Sequence, residues 1–244
     1  MKEICLTNHV EWHGKEGKAT LDIEEARERF KKIQAEIEEI QPHFPTLHIK
    51  LGAELEYIPK HMEDLKRFVE NTPLDFILGS VHIVDGEIIA SRKFAHKLFK
   101  RMDEKTAYSK YFETLKKMVQ WGHFDAVAHF DIPKKGGVDF YGPFEPQKYK
   151  IEIVEILNIM KAKNIGLELN TKHVTSACHE IFPHPQILKW ALETGIEHYT
   201  FSSDAHKAKD VSQHIQKALE LAKSVGIKTV STYKKRVPTK HALD

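Results

Sequence analysis

The sequence predicts a single α/β domain built on a parallel sheet that closes into a barrel. Three observations carry this. Short β-prone runs alternate with helical stretches along the chain, the units are numerous enough to complete a barrel, and no linker-like stretch interrupts them. An open doubly wound sheet is the competing architecture, but its glycine-rich phosphate loop is missing. With 244 residues, 41% of them hydrophobic, the chain can bury one large core.

Residues 2–7 (KEICLT) read as a short strand, and 11–20 as a glycine-bearing polar loop. A helix starts near Asp22, with Glu25 three positions on as a capping-box pair. Ile23, Ala26, Phe30, Ile33, Ile37 and Ile40 form its apolar stripe before Pro42 stops it. Residues 48–57 (HIKLGAELEY) alternate, with Ile49, Leu51, Ala53 and Leu55 on one face and Gly52, Glu54 and Glu56 on the other. That is a strand with an acidic inner face. Helices are expected over about 59–70, 104–121, 147–163, 184–194 and 210–225, and strands over 76–83, 124–130, 165–170, 198–203 and 227–232.

Lys and Arg (37) nearly balance Asp and Glu (35), and the net charge of +2 gives no long-range attraction for nucleic acid or an anionic membrane. No apolar run approaches the roughly 18 residues that span a bilayer. Cys5 and Cys178 are the only cysteines, and no signal-type segment opens the chain, which predicts a reduced, cytoplasmic protein without a disulfide framework. Specificity must then reside in a site. Sixteen histidines supply candidates for one, since neutral imidazole is a common metal ligand.

In an α/β barrel the site is built at the C-terminal ends of the strands. Here those ends carry, in order, His9, Glu54, His82, His129, Asn170, and the pair Asp204 and His206. One histidine near a strand end is an ordinary hydrogen-bonded residue; six successive polar strand ends predict a shared metal site. Imidazole and carboxylate donors without thiolate suit Zn²⁺, Mn²⁺ or Fe²⁺, and this many ligands exceed what one tetrahedral ion takes. Two ions roughly 3.5–4 Å apart are a recurrent solution for hydrolysing phosphate esters. The expected partner is thus a small phosphorylated substrate.

The segments TNH, LGAELEY, DFILGSVHIVDG, FDAVAHFDIPKK, LELNT and FSSDAH, collinear from about Glu3 to His206, resemble the PHP (polymerase and histidinol phosphatase) superfamily, in particular its monofunctional histidinol-phosphate phosphatases. The resemblance implies a distorted (β/α)7-type barrel spanning 1–244, with two or three divalent metals (Zn, Mn or Fe), that hydrolyses L-histidinol phosphate in histidine biosynthesis. It implies that Glu54 bridges two metals, that His82 and His129 complete the second metal's ligands, that Asp204 serves the first, and that His9 and His206 serve the third. Glu54, Asp204 and His206 would stand closest to the chemistry.

Two departures from the family pattern are visible. Family members begin with a strand bearing an H-x-H motif and a helix; here Met1 already adjoins what corresponds to the second strand, so the first β-α unit is expected to be missing. The open edge this leaves predicts lowered stability or pairing with another copy, a homo-oligomer. After LELNT the usual phosphate-binding arginine is replaced by KHVTSACHE, where Lys172 would act as a point charge. Lys134, Lys135 and Arg92 are further candidates for the substrate phosphate. His13, His96, His173, His179 and His184 are read as surface residues. The alternatives to a histidinol phosphatase are a PHP phosphoesterase of other specificity and a shortened, weakly active remnant with a binding or regulatory role.

Overall fold

Residues 2–10, 12–13, 19–90 and 92–243 are described by a computed structural model of the chain. Strand β1 (Glu3–His9) extends past the predicted end of its run, and a small antiparallel pair, β2 (Trp12–His13) and β3 (Ala19–Thr20), stands where a loop is expected. Helix α1 (Ile23–Ile40) follows. Asp22 caps it, its carboxylate accepting from the amides of Glu24 and Glu25 at 3.0 Å, which satisfies two of the donors a helix start leaves unpaired. β4 (His48–Glu56), α2 (Met62–Asn71) and β5 (Phe76–Ser80) come next, close to their expected positions.

The following segment departs from expectation. The predicted strand over 76–83 stops at Ser80, and the chain makes a hairpin, β6 (Ile83–Val84) and β7 (Glu87–Ile88), then a short helix α3 (Arg92–Phe99). α4 (Glu104–Trp121) matches its prediction. β8 (Ala126–Val127) keeps only two residues of the predicted 124–130 in the ladder, and a further unexpected helix, α5 (Lys134–Tyr141), follows. Glycines 136 and 137 argue against a helix by propensity. Packing decides otherwise: a Cβ at Gly137 would collide with the Tyr108 hydroxyl of α4, so the small residue permits the close approach. α6 (Lys150–Ala162), β9 (Gly166–Asn170), α7 (Pro185–Thr194), β10 (Tyr199–Ser202) and α8 (Ile215–Val225) continue the alternation.

Among the described residues the main sheet has six parallel strands in the order β1-β4-β5-β8-β9-β10, with helices packed over one face. The expected barrel-type fold is thus present as a curled half-barrel whose two edges are β1 and β10. The curl is tight at the C-terminal ends, where the His9 ring at the end of β1 lies 6.0 Å from the His206 ring beyond β10. Phe30 of α1 packs edge-on against Phe68 of α2 at 5.1 Å, each ring buried and contributing roughly 2–3 kcal/mol.

The strand predicted over 227–232 does not join this sheet. β11 (Thr229–Lys234) pairs antiparallel with β12 (Val237–Ala242). Its turn residues, Lys235 and Arg236, adopt φ of 50° and 66°, a backbone usually left to Asn or Gly. Tertiary contacts hold it: Asp75 accepts from the Lys235 amide at 3.0 Å, its carbonyl accepts from the Arg236 amide, and the Arg236 guanidinium pairs with Asp125 at 3.0 Å. No described helix is long and apolar enough to cross a membrane.

Candidate metal centre

The pleat of β4 places Glu54 and Glu56 on the same inward face, as the alternation predicts. Register aligns His9 of β1 with Glu54, so the two side chains meet across the strands, His9 Nδ1 standing 3.7 Å from Glu54 Oε2. The other carboxylate oxygen, Oε1, lies 3.1 Å from His129 Nε2 and 3.4 Å from His82 Nε2. These two imidazole nitrogens are themselves 3.1 Å apart. One carboxylate thus faces three imidazoles, and ligand atoms of His9, Glu54 and His82 all fall within 4.8 Å of one another.

The surroundings fix which nitrogens face inward. Glu56, fully buried, accepts the His82 amide at 2.9 and 3.0 Å, and its Oε2 stands 2.7 Å from His82 Nδ1. A carboxylate on Nδ1 favours the proton there and leaves the lone pair on Nε2, toward Glu54. Glu168 of β9 accepts the His129 amide at 2.7 Å and an Asn170 Nδ2 bond at 3.2 Å. Behind His9, Arg29 of α1 donates to the carbonyls of residues 9 and 10 at 2.6 and 3.2 Å. His129 and Asp204 hold φ of 25° and 47°, a backbone that costs a non-glycine residue about 1–3 kcal/mol and that clusters at functional sites.

Charge follows from this packing. Burial alone would raise the Glu54 carboxyl, but the hydrogen bond from His129 and the positive fields of His9, His82 and His129 outweigh it and hold Glu54 well below the carboxylate range. Burial dominates at Glu168 and pushes it up to about 7. The donors suit a divalent cation: imidazole nitrogens around one ionised carboxylate, no thiolate, and a His129 Nδ1 buried without a hydrogen-bond partner.

The remaining sequence candidates separate into groups. Asp204 and His206 lie at the rim, with His206 Nδ1 3.3 Å from Asp204 Oδ1, and Asn170 Nδ2 reaches Asp204 Oδ2 at 3.3 Å. Lys172 contacts both, its amine bonded to the Asp204 carbonyl and 2.8 Å from His206 Nδ1. Lys135 donates to the Ala90 carbonyl at 2.9 Å; burial holds its ammonium below the usual lysine range, opposed by Asp204 and reinforced by Lys172.

Lys134 requires a correction. Expected to meet phosphate, it is instead buried in ion pairs with Asp131 (3.0 Å) and Glu180 (2.7 Å), over the Phe182 ring. Successive helical residues point about 100° apart, so only one of the adjacent lysines of α5 faces the rim. Arg92 begins α3, and its side chain lies outside the described residues, as does that of His13. His173, read as a surface residue, is buried against Phe182 with ring centres 5.0 Å apart. Sequence reasoning assigned no part to Glu168, Arg29 or Asp131. Spacing offered a hint only for Glu168, two positions before Asn170 on one strand face.

The PHP domain family matches residues 1–172. A probable histidinol-phosphatase of Deinococcus radiodurans is 25% identical over 232 residues, covering 93% of this chain and 84% of that protein. A histidinol-phosphatase of Lactococcus lactis is 23% identical over 239 residues, covering 96% and 83%. The crystal structure of histidinol phosphate phosphatase from Lactococcus lactis, complexed with Zn, L-histidinol and phosphate, superposes with a TM-score of 0.78 at 21% identity, covering 98% of this chain and 88% of that one. The family match extends over strands β1 to β9 and every residue of the Glu54 cluster, and the chain belongs to the PHP domain family.

Proposed function

We propose that this chain is a metal-dependent phosphomonoesterase that hydrolyses L-histidinol phosphate to L-histidinol and phosphate, its 244 residues forming one domain. The observation that carries the proposal is the buried Glu54 carboxylate facing His9, His82 and His129 at strand ends, a donor set matched to Zn²⁺, Mn²⁺ or Fe²⁺. The substrate reading is supported by curated relatives named histidinol-phosphatase over more than nine-tenths of this chain. Bound there, divalent cations supply Lewis acidity toward phosphoryl oxygens and activate water near neutral pH.

The chain's own residues divide the work. Glu54, His82, His129 and His9 would hold the metal; Glu56 orients the His82 imidazole and Glu168 holds the His129 backbone; Asp204 and His206 form the outer wall. Lys172 and Lys135 offer positive charge on the side where a phosphate dianion enters. Two free thiols, Cys5 and Cys178, accord with work in the cytoplasm.

The test is turnover of histidinol phosphate beside a panel of nucleotide and sugar phosphates, before chelation, after it, and after metal is restored. Histidinol phosphate should be hydrolysed fastest, and only with metal present. A full rate after verified metal removal refutes the mechanism; a faster nucleotide or sugar phosphate refutes the substrate.

A further inference from the structure

Among the described residues β1 and β10 do not pair, so no closed ladder fixes how far the sheet curls. Yet His9, Glu54, His82 and His129 sit on or just past four different strands, β1, β4, β5 and β8, and their side chains meet only at one curvature. That curvature is held at the opposite end of the sheet, by the β11–β12 hairpin.

The Tyr233 carbonyl of β11 accepts from the Lys50 ammonium of β4 at 2.5 Å, and the same ammonium pairs with Glu3, which starts β1, at 2.5 Å. Asp75, the residue before β5, accepts the Lys235 amide on its carboxylate at 3.0 Å and the Arg236 amide on its carbonyl at 2.9 Å. Asp125, the residue before β8, takes the Arg236 Nε–H on Oδ1 at 3.0 Å and on Oδ2 at 3.3 Å. On the far side, Ser231 Oγ lies 2.9 Å from Nδ1 of His198, the residue before β10. The Tyr233 ring packs into the same end of the half-barrel, 4.7 Å from the Phe76 ring and clustered with Leu78, Ala126 and Ala128.

The two aspartates tie strands to each other as well as to the turn. Asp75 Oδ2 accepts the Leu51 amide of β4 at 3.3 Å, and Asp125 Oδ2 accepts the Ile77 amide of β5 at 2.8 Å. Lys50 stands four residues before Glu54, and Asp125 four before His129, about 13 Å of extended chain. Over so short a span a strand behaves as a rigid lever, and a change of tilt at the turn is carried to the ligand. Lys235 and Arg236 keep left-handed φ of 50° and 66°, strain that persists only where the surroundings over-determine it.

We propose that the β11–β12 turn is a clasp that sets the curl of the half-barrel, and that Arg236 is a positioning residue for the metal centre, acting through Asp125 and the strands that carry His9, Glu54, His82 and His129. This rests on the metal-centre reading above. Coupling between two sites is reciprocal, so metal in the centre should also tighten the turn.

Two measurements on folded protein test it: Zn²⁺ competition against a chromophoric chelator, and the visible spectrum of the Co²⁺-loaded chain, whose bands report ligand number and geometry. Arg236→Met should raise the Zn²⁺ Kd at least ~10-fold, inside the roughly 5- to 150-fold range of couplings between separate sites, and should shift the Co²⁺ bands. Arg236→Lys keeps the charge without the fork and should recover most of the affinity. Lys240→Met breaks the exposed pair with Glu197 on the same hairpin and should change neither reading.

An unchanged Kd and an unchanged Co²⁺ spectrum in Arg236→Met, with only unfolding stability lowered, overturns the proposal. An equal loss of affinity in Lys240→Met does the same. Hydrogen exchange on the unmutated chain requires no variant to fold: saturating Zn²⁺ should slow exchange of the Lys235 and Arg236 amides, and slowing confined to amides that exchange only by global unfolding overturns the clasp. Glu54→Gln separates the underlying reading. Undiminished Zn²⁺ affinity there removes the Glu54 centre and the clasp's role with it, whereas a loss in Glu54→Gln beside none in Arg236→Met removes the clasp alone.

Discussion

Glu56 touches no residue assigned here to substrate, yet replacing it should weaken metal binding. Its carboxylate accepts the His82 amide at 2.9 and 3.0 Å and stands 2.7 Å from His82 Nδ1, with no exposure to solvent. Glu56→Gln keeps the shape and one acceptor oxygen but turns an NH₂ donor toward groups that themselves donate. Hydrogen bonds to a charged acceptor contribute about 1.5–3 kcal/mol, and roughly one such contact is lost. If about 2 kcal/mol of that loss falls on the orientation of His82, the metal Kd rises about 30-fold, within the 10- to 100-fold range of carboxylate partners to metal-bound histidine. The assay is Zn²⁺ competition on folded protein, with the His82 ring nitrogens followed by NMR to report the tautomer. An unchanged Kd and an unchanged His82 tautomer would show that Glu56 only fills the barrel. A drop in unfolding stability alone would mean the same.

Glu54→Gln should cost at least ~10²-fold in kcat/KM, on the order of 3 kcal/mol in the barrier, since it removes the charge that three imidazoles surround; steady-state kinetics with metal restored checks this. Lys134→Met should lower unfolding stability by about 3–5 kcal/mol in urea titrations and leave KM unchanged, because it strands the fully buried Asp131 carboxylate while the phosphate side keeps Lys135 and Lys172. His173 should impose a pH dependence on stability. Burial, aided by the charges of Lys135, His129, Lys172 and Lys134, lowers its pKa from 6.5 to about 3. The folded protein therefore keeps it neutral while the unfolded chain gains a proton below pH 6.5, and stability is lost as pH falls from 6.5 toward 3. His173→Leu should flatten that limb of a pH series of denaturant unfolding curves, and an equally steep limb would place the acid sensitivity elsewhere.

The parts of this site visible in the sequence are those set by local periodicity. Glu54 is legible because a period of two over 48–57 puts it opposite the apolar residues, and the strand-end position of His9 follows from a β-prone run of the right length. What is illegible depends on partners distant in the chain. α5 contains two glycines and forms because Tyr108 leaves no room for a side chain. The β11–β12 turn uses Lys235 and Arg236 because Asp75 and Asp125, more than 100 residues earlier, hold them. Lys134 and Lys135 are identical in type and adjacent, and only the helix phase sends one to Asp131 and the other toward the rim.

A rule relating fold to site emerges from the two buried glutamates. β5 leaves the ladder at Ser80 and β8 at Val127, so the backbone amides of His82 and His129 have no strand partner just where the side chains must aim inward. A buried unpaired amide is costly, about 1–3 kcal/mol. Each is satisfied by a carboxylate from the neighbouring strand, Glu56 of β4 for His82 and Glu168 of β9 for His129. The same bonds hold the histidine backbones after the strands end, which at His129 includes a φ of 25°. Ending a strand early thus frees a histidine to turn toward the centre, and a glutamate next door both repairs the lost backbone bond and steadies the residue that turns. Removing either glutamate should therefore lower stability and metal affinity together, whereas replacing a rim residue such as His206 should leave stability untouched.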